Sequence, residues 1–157
     1  MQFYCINLDL FDRRLLAALQ SDAARSNAEL GEIVGLSASQ ISRRRERLES
    51  AGVIRRYRAE IDPSALGGAV TVFVHVTFSS HSAGNARKLR DLINTTPEIL
   101  EAHAMTGETD YQFRVAVAGL SELAAFVNER LLSHPAIARV RSEIVLETLK
   151  DERVWPL

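Results

Sequence analysis

The sequence lacks the features that define several large classes of protein. It has a single cysteine, Cys5, which excludes a disulfide framework within the chain and fits a reducing compartment; we interpret it as incidental rather than reactive. No apolar run reaches about 18 residues, the length that a membrane-spanning helix needs. Residues 1–10 lack the basic and apolar regions of a secretory signal. We therefore expect a cytoplasmic protein with no membrane partner.

The charge is nearly balanced over the whole chain but unevenly distributed along it. The net charge is −1, and 46% of the 157 residues are hydrophobic, as in ordinary globular proteins. Residues 37–58, however, contain seven arginines and two glutamates. Such a local excess favours a polyanionic partner, because each neutralised phosphate releases counterions. A charge run alone is more often a solvated helix face, so the spacing must decide.

Two helix starts follow each other closely in the first half of the chain. A first helix is predicted over 9–21, with an aspartate as its N-cap. Residues 26–29 form an S-x-x-E capping box, and the helix that they begin ends at Gly35. A second box, S-A-S-Q, opens another helix over 37–51. Two capped helices separated by a tight turn indicate a helix-turn-helix motif.

The outward face of the last of these helices has the chemistry of a DNA reader. Ile41 and Leu48 lie seven residues apart and therefore on one buried face. The opposite side carries Ser39, Gln40, Arg43, Glu46 and Arg47, with Ser42 on its flank. Arginine pairs with guanine, glutamine with adenine, and serine with either. We therefore favour DNA recognition over a surface helix that is merely rich in arginine.

A linker follows the helix-turn-helix motif. The stretch 55–59 is compatible with a short strand beside the DNA or with a simple connector. Pro63 and the pair 67–68, both glycine, are typical of an interdomain segment. We therefore predict a DNA-binding domain over 1–62, including the linker strand, and a second domain over 63–157.

The second half of the chain alternates strands and helices. Apolar residues recur with period two from Val70, which predicts a strand. The predicted elements are strands over 70–78, 99–106, 111–117 and 138–149, and helices over 83–94 and 121–132. This βαββαβ order is that of a ferredoxin-like domain, so the fold class is α+β: an N-terminal winged-type helix-turn-helix domain and a C-terminal ferredoxin-like domain. Its two helices cover one sheet face, and we expect the other to expose a large apolar patch that dimerises.

Enzyme chemistry has no positive support in the sequence. The histidines His75, His81, His103 and His134 have no zinc-type spacing, and we interpret them as structural. No nucleophile elbow, phosphate-binding loop or dinucleotide fingerprint occurs, so no metal or other cofactor is expected. Glu108 and Asp110 are compatible with an ammonium-binding site or with an ordinary polar turn.

Several short motifs together resemble the Lrp/AsnC family of transcription regulators, also called feast/famine regulators. In the first half they are Leu8-Asp9, Leu36-Ser37-Ala38-Ser39, Arg43-Arg44, Arg47-Leu48-Glu49 and Gly52-Val53-Ile54. In the second half they are Thr106-Gly107-Glu108-Thr109-Asp110-Tyr111 and Val145-Leu146. Each is weak alone, but their joint order and spacing are specific, and they extend from Leu8 to about Lys150.

The resemblance implies a regulated DNA-binding assembly. It adds Ser37 and Arg44 to the candidate contacts with double-stranded DNA. It implies homodimers, formed through the C-terminal sheets, that assemble into tetramers or octamers. It also implies a small effector, most often an amino acid, in a cleft near the glycine turn. The effector candidates are Gly107, Glu108, Thr109, Asp110 and Tyr111, with His103 and Met105 as wall residues.

Two residues depart from the family pattern. Arg45 stands where a small aliphatic residue is usual, and we expect its stem to lie over Leu48 with its charge on a phosphate. Gln112 stands where an apolar residue is common. If its side chain faces the cleft it indicates an effector more polar than leucine, and if it faces solvent it carries no information.

Two alternatives to an effector-responsive regulator stay open. One is an architectural DNA-binding protein that ignores effectors, with steep salt dependence and weak sequence preference. The other is an enzyme, because sirohaem decarboxylases resemble this family in fold. In that case His103 or Tyr111 would contact a tetrapyrrole, but the arginine-rich helix argues against it.

Overall fold

The chain divides into two compact units, which are described separately. The computed structural model describes residues 7–66, 69–80, 82–152 and 154–157. One unit comprises the residues up to Glu60 together with 150–157, and the other comprises 61–149. The sequence-based division at residue 62 instead assigns 150–157 to the second domain. Cys5, His81 and the Gly67–Gly68 pair lie outside the described residues.

The described residues of the first unit form three helices, each of which begins with a reciprocal capping box. They are α1 Leu10–Ser21, α2 Asn27–Val34 and α3 Ala38–Ser50. The boxes that begin at Ser26 and Ser37 are those predicted from the sequence. At α1 the predicted cap Asp9 forms a third box with Asp12, an aspartate pair outside the usual S-x-x-E pattern. These helices confirm the predicted helix-turn-helix arrangement.

The turn between α2 and α3 depends on two glycines. Gly35 adopts φ 83°, a left-handed conformation that ends α2 without a steric penalty. Gly31 sits one turn earlier, where a Cβ atom would lie 2.5 Å from the backbone oxygen of Leu36. The close approach lets the chain reverse directly into α3. Gly31 therefore has a packing role that the sequence analysis does not identify.

We expect Gly31→Ala to destabilise the protein by about 1–3 kcal/mol, because the added methyl group must displace backbone rather than a flexible side chain. Urea denaturation of the wild type and variant measures the difference. Glu32→Ala, at the next and exposed position of α2, is the matched control and should change stability by less than about 0.5 kcal/mol. Equal stability of the Gly31 variant and the wild type would contradict the packing role.

After α3 the chain turns back along the helix. Gly52 adopts φ 71°, and the N–H groups of Val53 and Ile54 both donate to the backbone oxygen of Leu48, at 2.9 and 3.1 Å. Residues 55–60 then have no regular secondary structure. Of the two interpretations of this stretch, the connector fits the structure and the short strand does not.

The second unit is a four-stranded antiparallel sheet with helices. Its elements are β1 Val70–Phe78, α4 Ala83–Thr95, β2 Ile99–Ala104, β3 Tyr111–Val117, α5 Leu120–Ala125 and β4 Ile137–Ile144, with a 3₁₀ turn over Pro63–Leu66. The strand order is β2-β3-β1-β4, which confirms the predicted ferredoxin-like arrangement. After α5 the helix continues with π-type hydrogen bonding over Phe126–Leu131, which the sequence pattern does not predict.

The last strand is shorter than predicted. It ends at Ile144 rather than near Leu149. Ile144 pairs with Val72 of β1, and the N–H of Val145 donates to the backbone oxygen of Thr71 at 2.9 Å. β2 likewise ends at Ala104, two residues before the predicted end.

The core of the second unit lies on one face of the sheet. Val72, Val74 and Val76 of β1 and Phe113 and Val115 of β3 are completely buried. They form one cluster with side chains of α4 and the helical segment that includes α5. The period-two alternation thus places the apolar residues of both central strands on the helix-covered face.

The opposite face of the sheet is mostly polar, so the predicted large apolar patch is wrong. The residues of β1 on this face are Thr71, Phe73, His75 and Thr77, all half-buried. Arg141 and His75 both contact Glu143, at 2.9 and 3.2 Å. The alternation that fills the core leaves one aromatic side chain here. Dimerisation through this face stays a prediction.

Candidate DNA-binding surface and effector turn

α3 presents a positively charged outward face. Ile41 and Leu48 are fully buried and fix the inward side, while Ser42 and Arg43 are exposed on the outward side. Beside them lies a shallow depression of about 290 Å³ lined by Gln40, Arg43, Arg44 and Arg47. Guanidinium and amide donors around a depression suit phosphate oxygens and base edges.

Two arginines of α3 are tied to the start of α1. Arg44 Nη1 lies 2.8 Å from Asp9 Oδ2 and 2.7 Å from Asp12 Oδ1, and its guanidinium lies 5.4 Å from the centre of the Phe11 ring. Arg47 Nη2 contacts the other oxygen of Asp12, whose side chain is fully buried. This ion network anchors α3 on one flank.

The hydrogen bonds of this network shift the pKa values of Asp9 and Arg44. The pKa of Asp9 is lowered, first by the hydrogen bond from the backbone N–H of Asp12 and next by the hydrogen bond from Arg44. The pKa of Arg44 is raised by its hydrogen bonds to Asp9 and Asp12. Both shifts favour the charged forms that hold the helices together.

We expect Asp9 to make the first unit sensitive to acid. The pKa of Asp9 is lower in the folded chain than its ordinary value of about 4. Its stabilising effect is therefore complete above that ordinary value and is lost as the pH falls through the lowered pKa of the folded chain. Asp9→Asn keeps an N-cap but removes the charge. Thermal denaturation between about pH 5 and pH 2.5 should show a smaller loss of Tm in the variant. If the Tm of Asp9→Asn and that of the wild type fall equally over this pH range, this role of Asp9 is contradicted.

The residues predicted to contact DNA differ in whether they already have hydrogen-bond or ion-pair partners within the chain. Ser37 caps α3, and the side-chain oxygen of Gln40 accepts from its N–H at 2.9 Å. Ser39 Oγ lies 3.1 Å from Ser37 Oγ. Among the described residues no carboxylate forms an ion pair with Arg43. The seven predicted residues are thus spread along α3 from its N-cap, Ser37, to its last turn at Arg47, and Ser42 and Arg43 are the most available of them.

Arg45 does not point to a phosphate as expected. Its Nη1 donates to Asn27 Oδ1 at 2.9 Å, and its guanidinium lies 5.3 Å from the centre of the Tyr57 ring. The expectation placed its stem over Leu48 and its charge outward. Side-chain partners on α2 and on the following segment, which periodicity cannot reveal, hold the charge instead.

The predicted effector turn lies between β2 and β3 and is attached to the end of β1. The N–H of Met105 donates to the backbone oxygen of Asp110 at 2.9 Å, which closes the turn. The N–H of Asp110 donates to Val76, and its Oδ2 accepts from the N–H of Phe78 at 2.7 Å. Asp110 thus holds the turn against the neighbouring strand.

The seven effector candidates do not all face one way. Tyr111 packs on Phe78 with ring centres 4.9 Å apart, on the helix-covered face. On the opposite face of the sheet, Gln112 of β3 pairs with His103 of β2 and with His75 of β1. Gln112 therefore belongs to the open sheet face. The other candidates, Met105, Gly107, Glu108, Thr109 and Asp110, form the turn itself, and Glu108 is exposed.

A cleft of the second unit lies away from this turn. It measures about 590 Å³ and includes Ala69, Ala116, Glu122 and Phe126 in its lining. Val70 pairs with Val117 at the end of the β1–β3 ladder beside the cleft, and Val76 pairs with Tyr111 at the end beside the turn. At the usual rise of a strand, these two ends are roughly 20 Å apart. The predicted effector turn is therefore distant from this cleft.

In the described part of the chain, no group of three or more histidine, cysteine, aspartate and glutamate side chains is arranged to hold an ion. No helix within the same residues has the length and apolar character to cross a bilayer.

Comparison with known proteins identifies both units. Residues 8–49 match the AsnC-type helix-turn-helix domain, and residues 71–155 match the Lrp/AsnC ligand binding domain. The glutamate uptake regulatory protein of Zymomonas mobilis is 35% identical over 150 residues, which cover 96% of this chain and 91% of the relative.

Two similar solved structures carry an amino acid. One is a transcriptional regulator from Neisseria meningitidis in complex with L-Met, with TM-score 0.91 and 31% identity over 96% of this chain and 97% of that one. The other is a feast or famine regulatory protein from M. tuberculosis complexed with L-methionine, with TM-score 0.84 and 30% identity over 95% and 99%. The chain belongs to the Lrp/AsnC family of transcriptional regulators.

Proposed function

We propose that this regulator binds its operator through the outward face of α3 and that an amino acid changes that binding. The observation that carries the proposal is the exposed, arginine-bearing face of a capped helix whose buried side is fixed by Ile41 and Leu48. A rigid helix of this kind presents its side chains to the major groove at a defined angle.

The seven candidate contacts have different proposed roles. Arg43 and Ser42 are exposed and are proposed to contact base edges. Ser37, Ser39 and Gln40 lie at the N-terminus of α3, where backbone N–H groups and the helix dipole favour a phosphate. Arg44 and Arg47 are proposed to align α3 and to add positive charge beside the groove, because Asp9 and Asp12 already bind them.

The proposed effector is an amino acid that binds at the β2–β3 turn. Its support is the pair of similar regulators whose structures contain L-methionine, together with the turn from Met105 to Asp110. Glu108 is exposed and is the proposed acceptor for the ammonium group. Asp110 is the proposed support of the turn, because its carboxylate accepts the N–H of Phe78.

Assembly is part of the proposal, because residues 105–108 of the turn are exposed. A homodimer formed through the C-terminal sheets would close a cleft over it, and dimers would join as tetramers or octamers. Support comes from the half-buried sheet face around Phe73 and from the exposed side chains of Leu146 and Leu149 after β4. Since the proposed partner is chromosomal DNA, the proposed location is the cytoplasm.

The effector proposal is tested by measuring operator affinity, by fluorescence anisotropy, with each of the twenty amino acids. We expect at least one, with L-methionine the first to try, to change the affinity at least about fivefold, a coupling of about 1 kcal/mol. Glu108→Gln should raise the effector concentration for half the response about tenfold or more. Glu147→Gln, also exposed in the same unit, is the control.

The same measurement separates the alternatives. Operator binding that no amino acid changes would contradict the proposed effector and favour an architectural protein, especially if random DNA competes well. The expectation that the chain is not an enzyme stays a prediction, which membership in a family of transcriptional regulators supports.

A further inference from the structure

We propose that the segment Arg55–Arg58 is a second DNA-contacting element, which binds phosphates beside the groove that α3 enters, and that Tyr57 positions it. The inference rests on the proposed function, because it presupposes that α3 binds DNA and adds a second contact with the same DNA. It concerns residues outside the helix-turn-helix motif itself.

The segment is attached to α3 where it begins. The turn at Gly52 and the two hydrogen bonds from Val53 and Ile54 to the backbone oxygen of Leu48 direct the chain back over the helix. The side chains of Val53 and Ile54 pack against the core of the first unit. Residues 55–58 therefore leave from a fixed point.

Tyr57 then fastens the middle of the segment to the same helix. Its hydroxyl donates to Glu49 Oε1 at 2.7 Å, and its ring lies under the guanidinium of Arg45. Arg45 in turn donates to Asn27 on α2. Burial, and next the hydrogen bond to Glu49, raise the pKa of Tyr57, so the phenol remains a neutral donor. One aromatic ring thus links the segment to two helices.

This attachment places the segment on a defined flank. At about 100° per residue, Arg45 and Glu49 lie on the side of α3 opposite Gln40 and Arg44. The outward face, with Arg43, lies between the two flanks. Asp9 and Asp12 occupy one flank through Arg44, and Tyr57 occupies the other. The basic segment therefore runs alongside the face that is proposed to read DNA.

The chemistry of the segment suits phosphates rather than bases. Arg55, Arg56 and Arg58 are exposed, and within the described residues none of them forms an ion pair with a carboxylate. The backbone here has no regular structure that would aim a guanidinium at one base edge. Contacts with phosphates carry no direct sequence information but contribute affinity that falls as salt rises.

The test is the salt dependence of DNA binding, measured by anisotropy on the operator and on random DNA. Each phosphate contact contributes about 0.9 to the slope of log affinity against log salt. The combined variant Arg55→Ala, Arg56→Ala, Arg58→Ala should reduce the slope by about two to three on both DNAs, with the ratio of the two affinities unchanged. The double variant Arg87→Ala, Arg90→Ala on α4 is the charge control and should leave the slope unchanged.

The positioning role of Tyr57 has its own test. Tyr57→Ala removes no charge, yet it should lower the slope by at least about one, because the arginines lose their fixed position. Tyr57→Phe keeps the ring under Arg45, so its slope should lie close to that of the wild type. Circular dichroism checks that each variant keeps the helical content of the wild type.

The outcomes distinguish this inference from the proposed function. If the wild type binds its operator and the triple arginine variant has the same slope, the segment does not contact DNA and this inference alone is wrong. A Tyr57→Ala slope equal to that of the wild type would overturn the positioning role. If the wild type binds no DNA, both are overturned.

Discussion

Asp12→Ala is expected to destabilise the first unit by about 1.5–3 kcal/mol, the usual contribution of hydrogen bonds to charged groups. The carboxylate is fully buried and contacts both Arg44 and Arg47. It also accepts the N–H of Asp9 in the capping box of α1. Alanine would leave Arg44, itself only about a quarter exposed, with Asp9 as its remaining carboxylate partner.

Urea denaturation followed by the helical signal measures this effect. Asp12→Asn keeps an acceptor for the backbone N–H and should lie between the alanine variant and the wild type. Asp91→Ala, at an exposed position of α4, is the control and should cost less than about 0.5 kcal/mol. A loss below about 1 kcal/mol for Asp12→Ala would show that the buried network does not stabilise the first unit.

Arg43→Ala is expected to weaken operator binding by about 1–3 kcal/mol, or between about fivefold and 150-fold. Arg43 is exposed on the outward face of α3, and its guanidinium forms no ion pair with a carboxylate among the described residues. Its donors are therefore available for the two acceptors of a guanine. Arg44, by contrast, is held by Asp9 and Asp12, so its replacement should act mainly through stability.

Competition with single-base variants of the operator distinguishes base contact from phosphate contact. If Arg43 reads a base, its alanine variant should lose discrimination at one operator position and keep it elsewhere. Lys88→Ala, exposed on α4, is the control for loss of positive charge. An equal loss of affinity on operator and random DNA would contradict base recognition and assign Arg43 to a phosphate.

The local features of the fold could be predicted from the sequence. Capping boxes at Ser26 and Ser37 identify two helix starts because the cap and its partner are three residues apart in the chain. Period-two alternation identifies β1 and β3 for the same reason. Most of the proposed DNA contacts follow from the spacing of Ile41 and Leu48, which orients the whole helix.

Features that depend on distant residues could not be predicted. The ion network joins Asp12 to Arg44, 32 residues later, so periodicity within α3 does not show that Arg44 already has partners. Tyr57 likewise shares no period with Arg45. The open sheet face was predicted to be apolar, whereas the alternation of β1 places Thr71, His75 and Thr77 on it.

The central claim is that α3 makes this chain a sequence-specific DNA-binding regulator. The most direct measurement is the affinity of the full chain for the DNA upstream of its own gene, by fluorescence anisotropy at physiological salt, against random DNA of equal length. We expect the upstream DNA to bind at least about a thousandfold more tightly, as specific sites usually do. Equal affinity for the two DNAs, or no binding to either, would contradict the claim.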